Sequence, residues 1–328
     1  MNLSVHCSGY DLCMTATDPI VNPQAIRAAQ ARIAADVRRT PLWRLPGAAL
    51  GVPCAELWLK LEHLQRGGSF KARGMFNRMR ALPIPAAGVV IASGGNAGIA
   101  VATAALAMGV RCEVFLPELA SPAKRQALAA VKAQVVVAGA AYADALAACL
   151  QRQQATGALL MHAYDQAEVV AGAGTLAAEI EDEAGLPDRV LVSVGGGGLI
   201  AGIAAWFEGR SRVEALEPVG APKLHAARAA GEPVDVAVGG LAADALGARR
   251  IGQIAWPICQ RFVAAAHLLP DEAITEAQRL LWRELRLAVE PAAALPLAAL
   301  RCGAVKPASH ERIVLVLCGA NFDPAALG

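Results

Sequence analysis

Four short segments carry residue types that could do chemistry. In Gly67-Gly68-Ser69-Phe70-Lys71-Ala72-Arg73-Gly74, a lysine follows a Gly-Gly turn and an aromatic residue and opens a helix. That setting can lower the amine's pKa and place it under a flat ring, and a desolvated lysine is suited to forming a Schiff base. Ser93-Gly94-Gly95-Asn96 falls where a strand hands over to a helix, so its backbone N–H groups can receive a carboxylate. Gly195-Gly196-Gly197-Gly198-Leu199 follows a strand and opens a helix. Consecutive glycines let the backbone wrap a phosphate, and the helix dipole adds attraction. Cys318-Gly319-Ala320-Asn321 follows the last apolar run.

The third segment supports a rival function. Gly196-x-Gly198-x-x-Ala201 fits the dinucleotide fingerprint, with Glu217 at the end of the next strand as the ribose-binding acid. That reading makes the chain a nicotinamide-dependent dehydrogenase and leaves the first two segments without a role.

The elements that must position these segments alternate. Asn22 to Arg39 reads as a helix, capped by Asn22 with Pro23 in its first turn, and Thr40-Pro41 ends it. Leu57 to Leu61 reads as a strand, and a second helix begins near Ser69. Strands are expected at 89–92, 112–116, 134–138, 159–162, 190–194, 213–216 and 313–317, separated by helical segments. Apolar runs such as Val190-Leu191-Val192-Ser193-Val194 imply parallel sheets covered on both faces, an α/β fold. In such sheets ligands collect at the carboxyl ends of strands. No repeat or low-complexity linker divides the chain, so a second domain must be inserted into the first: 85–165 within a larger domain of 1–84 plus 166–328.

Composition narrows the classes. The chain has 328 residues, 55% hydrophobic, 18% charged and 31 glycines, which excludes disorder, collagen and a disulfide miniprotein. A net charge of +2, scattered basic residues and 4% aromatics give no nucleic-acid surface. The 8 cysteines, from Cys7 to Cys318, lack CxxC spacing and read as reduced thiols in the cytoplasm. Gly88 to Val110 is uncharged and long enough to span a bilayer, but Ser93-Gly94-Gly95-Asn96 breaks it into strand, loop and helix. Met1 to Asp18 lacks a signal pattern and reads as a loose leader.

Taken together, Ser-Phe-Lys-x-Arg-Gly, Ser-Gly-Gly-Asn, the tetraglycine loop and Cys-Gly-x-Asn occur in the order seen in fold type II pyridoxal-phosphate enzymes. The likeness runs from about Asn22 to Asp323, and Gly239-Gly240-Leu241-Ala242 to Gly252 and Glu290-Pro291 add to it. The chain most resembles the serine/threonine dehydratase and serine racemase branch. The resemblance implies a tryptophan synthase β-like fold, with two three-layer domains and mostly parallel sheets. It also implies pyridoxal 5'-phosphate as cofactor, a small amino-acid substrate and a homodimer.

By that resemblance Lys71 holds the cofactor as a Schiff base and Phe70 packs by its ring. Asn96 bonds the phenolic oxygen, and Gly195, Gly196, Gly197, Gly198 and Leu199 clasp the phosphate. Ser93, Gly94 and Gly95 receive the substrate carboxylate, and Cys318 sits beside the pyridine nitrogen. A neutral thiol there leaves the ring a weaker electron sink than an aspartate would, which favours loss of a β-hydroxyl. The implied reaction converts L-threonine or L-serine to a 2-oxo acid and ammonia.

Two departures matter. Racemases of this branch carry a serine base where this chain has Gly94, so racemisation should be crippled. Some members bind a cation through the Glu of a Glu-Pro segment and an acid six residues later; here Glu217-Pro218 is followed by Lys223, and no divalent metal is expected. The chain ends soon after Asp323, so no regulatory domain is expected and a degradative or housekeeping role is implied. The alternatives are β-replacement, dehydration of 3-hydroxyaspartate or phenylserine, serine racemisation and the dehydrogenase. A catalytically dead binding protein would lack the lysine.

Overall fold

The computed structural model describes residues 21–120 and 122–327. The expected leader, Met1 to Asp18, lies outside the described residues. In chain order the elements are α1 (Pro23–Ile33), β1 (Leu42–Pro46), β2 (Glu56–Lys60), α2 (Lys71–Ala81), β3 (Val89–Ala92), α3 (Asn96–Met108) and β4 (Cys112–Leu116). Then come α4 (Pro122–Ala130), β5 (Gln134–Val137), α5 (Tyr142–Thr156), β6 (Leu159–Leu160), α6 (Ala167–Ala184), β7 (Arg189–Ser193) and α7 (Gly198–Phe207). The chain finishes with β8 (Arg212–Pro218), α8 (Lys223–Ala230), α9 (Ala255–Phe262), β9 (Val263–Leu269), α10 (Asp271–Leu285), α11 (Pro291–Arg301) and β10 (Arg312–Val316).

The strands form two sheets. One runs β1-β2-β10-β7-β8-β9 and the other β5-β4-β3-β6. All neighbours are parallel except β1, which closes the larger sheet as an antiparallel edge. Apolar runs on both faces explain why. In β3, Val89 and Ile91 join the cluster beneath α2 and α3, while Val90 and Ala92 join the opposite one against α5. A strand dry on both sides must be covered by helices, and crossover helices between parallel strands supply that cover. Each fully buried Val, Leu or Ile contributes roughly 1.5–3 kcal/mol.

Several boundaries depart from the sequence expectation. Asn22 caps α1 as foreseen, accepting from the Ala25 N–H at 2.9 Å, but the helix ends at Ile33 instead of Arg39. The second helix starts at Lys71, not Ser69, and β6 stops at Leu160. Strands β1 and β9 were not anticipated. β1 holds Pro46, which an edge strand tolerates, and β9 (Val-Ala-Ala-Ala-His-Leu-Leu) is rich in a residue with little strand preference. The uncharged stretch 88–110 resolves into β3, a loop and α3; among the described residues no helix is long and apolar enough to cross a membrane.

Helix α6 aligns the two helices that begin at the chemically active segments. A Cβ on Gly74, three residues into α2, would stand 2.6 Å from the Val169 carbonyl oxygen of α6. A Cβ on Gly202, four residues into α7, would stand 2.4 Å from the Val170 carbonyl oxygen. Only glycine permits such backbone contact. The starts of α2 and α7, Lys71 and Gly198, are therefore set against the same helix.

Candidate active site

Lys71 opens α2, and its Nζ donates to the Ala163 carbonyl at 2.6 Å and lies 5.0 Å from the Phe70 ring centroid. Burial lowers its pKa to about 8, against the opposing pull of Cys318 and Glu290. The Gly67-Gly68 turn before it has both glycines in left-handed backbone, at φ 68° and 74°.

The last segment comes to this turn from the other end of the chain. β10 lies between β2 and β7, so Cys318 emerges beside residue 70: the Phe70 N–H donates to the Cys318 carbonyl at 3.0 Å. Ala320 donates to the Gly68 carbonyl at 2.9 Å, and Asn321 Nδ2 to the Gly67 carbonyl at 2.8 Å. Cys318 is buried, and burial first, then Glu290, pushes its thiol well above its ordinary value, so it stays neutral.

Ser93-Gly94-Gly95-Asn96 follows β3, and its residues are half-buried, open to a ligand. Asn96 is held from two sides. Its Nδ2 donates to Glu290 at 2.9 and 3.0 Å, and its Oδ1 accepts from Asn321 Nδ2 at 2.6 Å. Burial raises the Glu290 carboxyl to about 7, although the Asn96 hydrogen bond opposes it.

Gly195 to Gly198 follow β7 and open α7, with Gly197 left-handed at φ 91°. The loop is closely covered. A Cβ at 196 would meet the Tyr164 ring at 2.3 Å, one at 197 Ile251 at 2.5 Å, and one at 198 the Tyr164 carbonyl at 2.8 Å. A narrow cavity lined by Phe70, Lys71, Tyr164, Gly198 and Leu199 joins the lysine to the loop.

Beneath Lys71, Arg73 is fully buried between two carboxylates, Glu62 at 2.8 Å and Glu179 at 2.7 Å. Lys60 pairs with Glu179 at 2.7 Å, and Thr40 donates to Glu62. Two cations and two anions balance in a dry interior, tying the start of α2 to the end of β2 and to α6.

The four expected segments thus converge, although 247 sequence positions separate Lys71 from Cys318. Sequence reasoning gave no role to Tyr164, Arg73 or Asn321, and noticed Glu290 only within Glu-Pro. The loop 161–166 follows an expected strand of a parallel sheet, and that rule alone could have drawn attention to Tyr164. Glu217 does not serve as a ribose acid: it is fully buried and caps α8, accepting from the Leu224 and His225 N–H groups at 2.8 and 2.9 Å.

The residues present fit pyridoxal phosphate. An amine near neutrality suits an aldehyde, glycine N–H groups at a helix start suit a phosphate, and a neutral thiol suits a pyridine nitrogen. The hydroxyl of Ser69, two residues before the lysine, is buried without a partner. Fold and site together define a fold type II pyridoxal-phosphate enzyme. The model of the family described as pyridoxal-phosphate dependent enzyme matches residues 33–319, and the chain belongs to that family, in its serine/threonine dehydratase and serine racemase branch. It is 38% identical to an L-threonine ammonia-lyase of Geobacter sulfurreducens over 91% of this chain and 75% of that one. It is 34% identical to a phenylserine dehydratase of Ralstonia pickettii over 95% and 97%. The structure of maize serine racemase superposes with a TM-score of 0.88 at 30% identity, covering 94% of this chain and 96% of that one. The family match overturns the dehydrogenase alternative.

Proposed function

We propose that this protein is an ammonia-lyase that dehydrates L-threonine and L-serine to 2-oxo acids and ammonia. The observation that carries the reading is the pairing of one near-neutral amine, Lys71 at about 8, with a residue 94 that has no side chain. Pyridoxal phosphate, when bound, withdraws electrons and stabilises negative charge on the substrate α-carbon. Lys71 would hold it through its amine, with Phe70 by the ring, Asn96 at the phenolic oxygen and Cys318 at the ring nitrogen. Gly195 to Gly198 and Leu199 would clasp the phosphate, and Ser93, Gly94 and Gly95 would receive the substrate carboxylate.

Lys71, once its amine is free, takes the α-proton as general base; a pKa near the working pH suits that task. The β-hydroxyl then departs as water, taking up one proton for the one Lys71 removed, and the released enamine adds water to give the 2-oxo acid and ammonia. Gly94 offers no group to return a proton on the other face, so elimination is the outcome. The similarity to L-threonine ammonia-lyase supports this reading. The similarity to phenylserine dehydratase favours a second one, in which the hydroxy amino acid carries a bulkier side chain.

The domain division at 85–165 is supported by the separate four-stranded sheet. Cytoplasmic placement is supported by the free thiols of Cys54, Cys112, Cys149, Cys259, Cys302 and Cys318, and a homodimer follows from the family resemblance. The test is a panel of L-threonine, L-serine, phenylserine and 3-hydroxyaspartate, with 2-oxo acid and ammonia measured together. Failure to release both from any of the four would overturn the proposal.

A further inference from the structure

Outside the site just described, Lys223 is completely enclosed, and its Nζ donates to the Leu246 carbonyl at 2.8 Å. The placement is unfavourable for a cation. Lys223 is the first residue of α8, where the helix dipole repels positive charge, and burying an ammonium costs several kcal/mol. Burial lowers its pKa to about 8, while the buried carboxylate of Glu217 nearby opposes the shift.

What the lysine reaches explains the placement. Leu246 belongs to segment 239–252, which lies over the glycine loop. The Leu246 Cα would stand 3.4 Å from a Cβ on Gly195, the Gly252 N–H donates to the Gly196 carbonyl at 2.9 Å, and Ile251 meets Gly197. A protonated amine cannot ligate a metal, and among the described residues no group of three or more His, Cys, Asp or Glu is placed to hold one. The residues present therefore do not fit the cation that some members of the branch bind through Glu217 and position 223.

We propose that the Lys223 ammonium is a built-in cation, a positioning residue that takes the ground between Glu217 and the Leu246 carbonyl and tethers segment 239–252 over the glycine loop. The loop's cover then needs no added metal ion. The inference is independent of which amino acid the enzyme consumes.

The test uses the full-length holoenzyme and two readouts besides turnover: thermal midpoint, and the rate at which bound cofactor is lost after dilution, followed by its visible absorbance. Wild type should show the same values with EDTA, magnesium, calcium or potassium. Lys223→Ala should lose cofactor about tenfold faster, the scale of one hydrogen bond to a charged group. Potassium or ammonium should slow that loss, because the vacated ground can accept a small cation. A control destabilised elsewhere, Leu281→Ala in α10, should show no cation response. A wild-type midpoint that falls with EDTA and returns with a divalent ion would overturn the proposal. So would a Lys223→Ala protein that keeps its cofactor, or one whose loss no cation slows. Should Lys223→Ala not fold, Lys223→Arg decides: indifference to cations supports the tether, and dependence on them refutes it.

Discussion

Asn96 presents its amide nitrogen to both carboxylate oxygens of Glu290, at 2.9 and 3.0 Å, although 194 positions separate the two residues. Asn321 donates to the other end of the same amide at 2.6 Å. The orientation of Asn96 is thereby fixed: nitrogen towards Glu290, oxygen towards Asn321. An amide nitrogen carries two hydrogens, so one can serve the carboxylate and the second a phenolic oxygen.

Glu290 makes stability fall as pH rises. Its folded pKa is raised to about 7 by burial, from 4.5. Between those values the folded state holds a proton that the unfolded state has released, so the stability it contributes is present below the lower value and lost on passing through the upper. Denaturant titration of the apoprotein should show a loss on the order of 3 kcal/mol across that window. Glu290→Gln should abolish this component, and an unchanged slope would exclude Glu290 as its source.

Lys71 should be the cofactor's attachment point. The purified protein should be yellow, the visible band should vanish on borohydride reduction, and peptide mass spectrometry should find the adduct on Lys71. Lys71→Ala should lose both the band and turnover. A label on another lysine would displace Lys71 from the role.

Arg73→Met should cost about 3–5 kcal/mol of stability, because it leaves two buried carboxylates, Glu62 and Glu179, short of their partner. Chemical denaturation measures it. A loss under about 1 kcal/mol, the scale of an exposed ion pair, would show that the cluster is open to water.

Gly202→Ala should be destabilising by about 1–3 kcal/mol, the usual cost of overpacking, since the new methyl would meet the Val170 carbonyl oxygen at 2.4 Å. Because α7 begins at Gly198, the same variant should hold the cofactor less tightly. Equilibrium dialysis against pyridoxal phosphate reads the second effect separately from unfolding.

Gly94 separates elimination from racemisation. Wild type acting on L-serine should give 2-oxo acid with no more than traces of D-serine on chiral chromatography. Gly94→Ser should introduce D-serine, since a placed acid–base group contributes about a hundred- to ten-thousand-fold. Abundant D-serine from the wild-type enzyme would require a second base elsewhere.

The sequence by itself determined which residues could do the chemistry and the type of most elements around them. The Ser93–Asn96 loop, the glycines at 195–198 and Cys318 each sit where an apolar run gives way to a helix or turn, and Lys71 opens a helix after a glycine turn. That pattern is local, because strand and helix periods are set by neighbouring residues. The Ala-rich β9 and the Pro-ended β1 escaped it, since their pairing partners override weak local preference. Tertiary structure alone decided how the pieces meet. Inserting β10 between β2 and β7 brings Cys318 to Phe70 and Asn321 to Asn96, while backbone contact at Gly74 and Gly202 sets α2 and α7 against α6. The partners of Glu290 and Arg73 lie 11 to 194 positions away. A buried charge must find its counterpart wherever strand order and helix packing deliver one, and no local spacing encodes that.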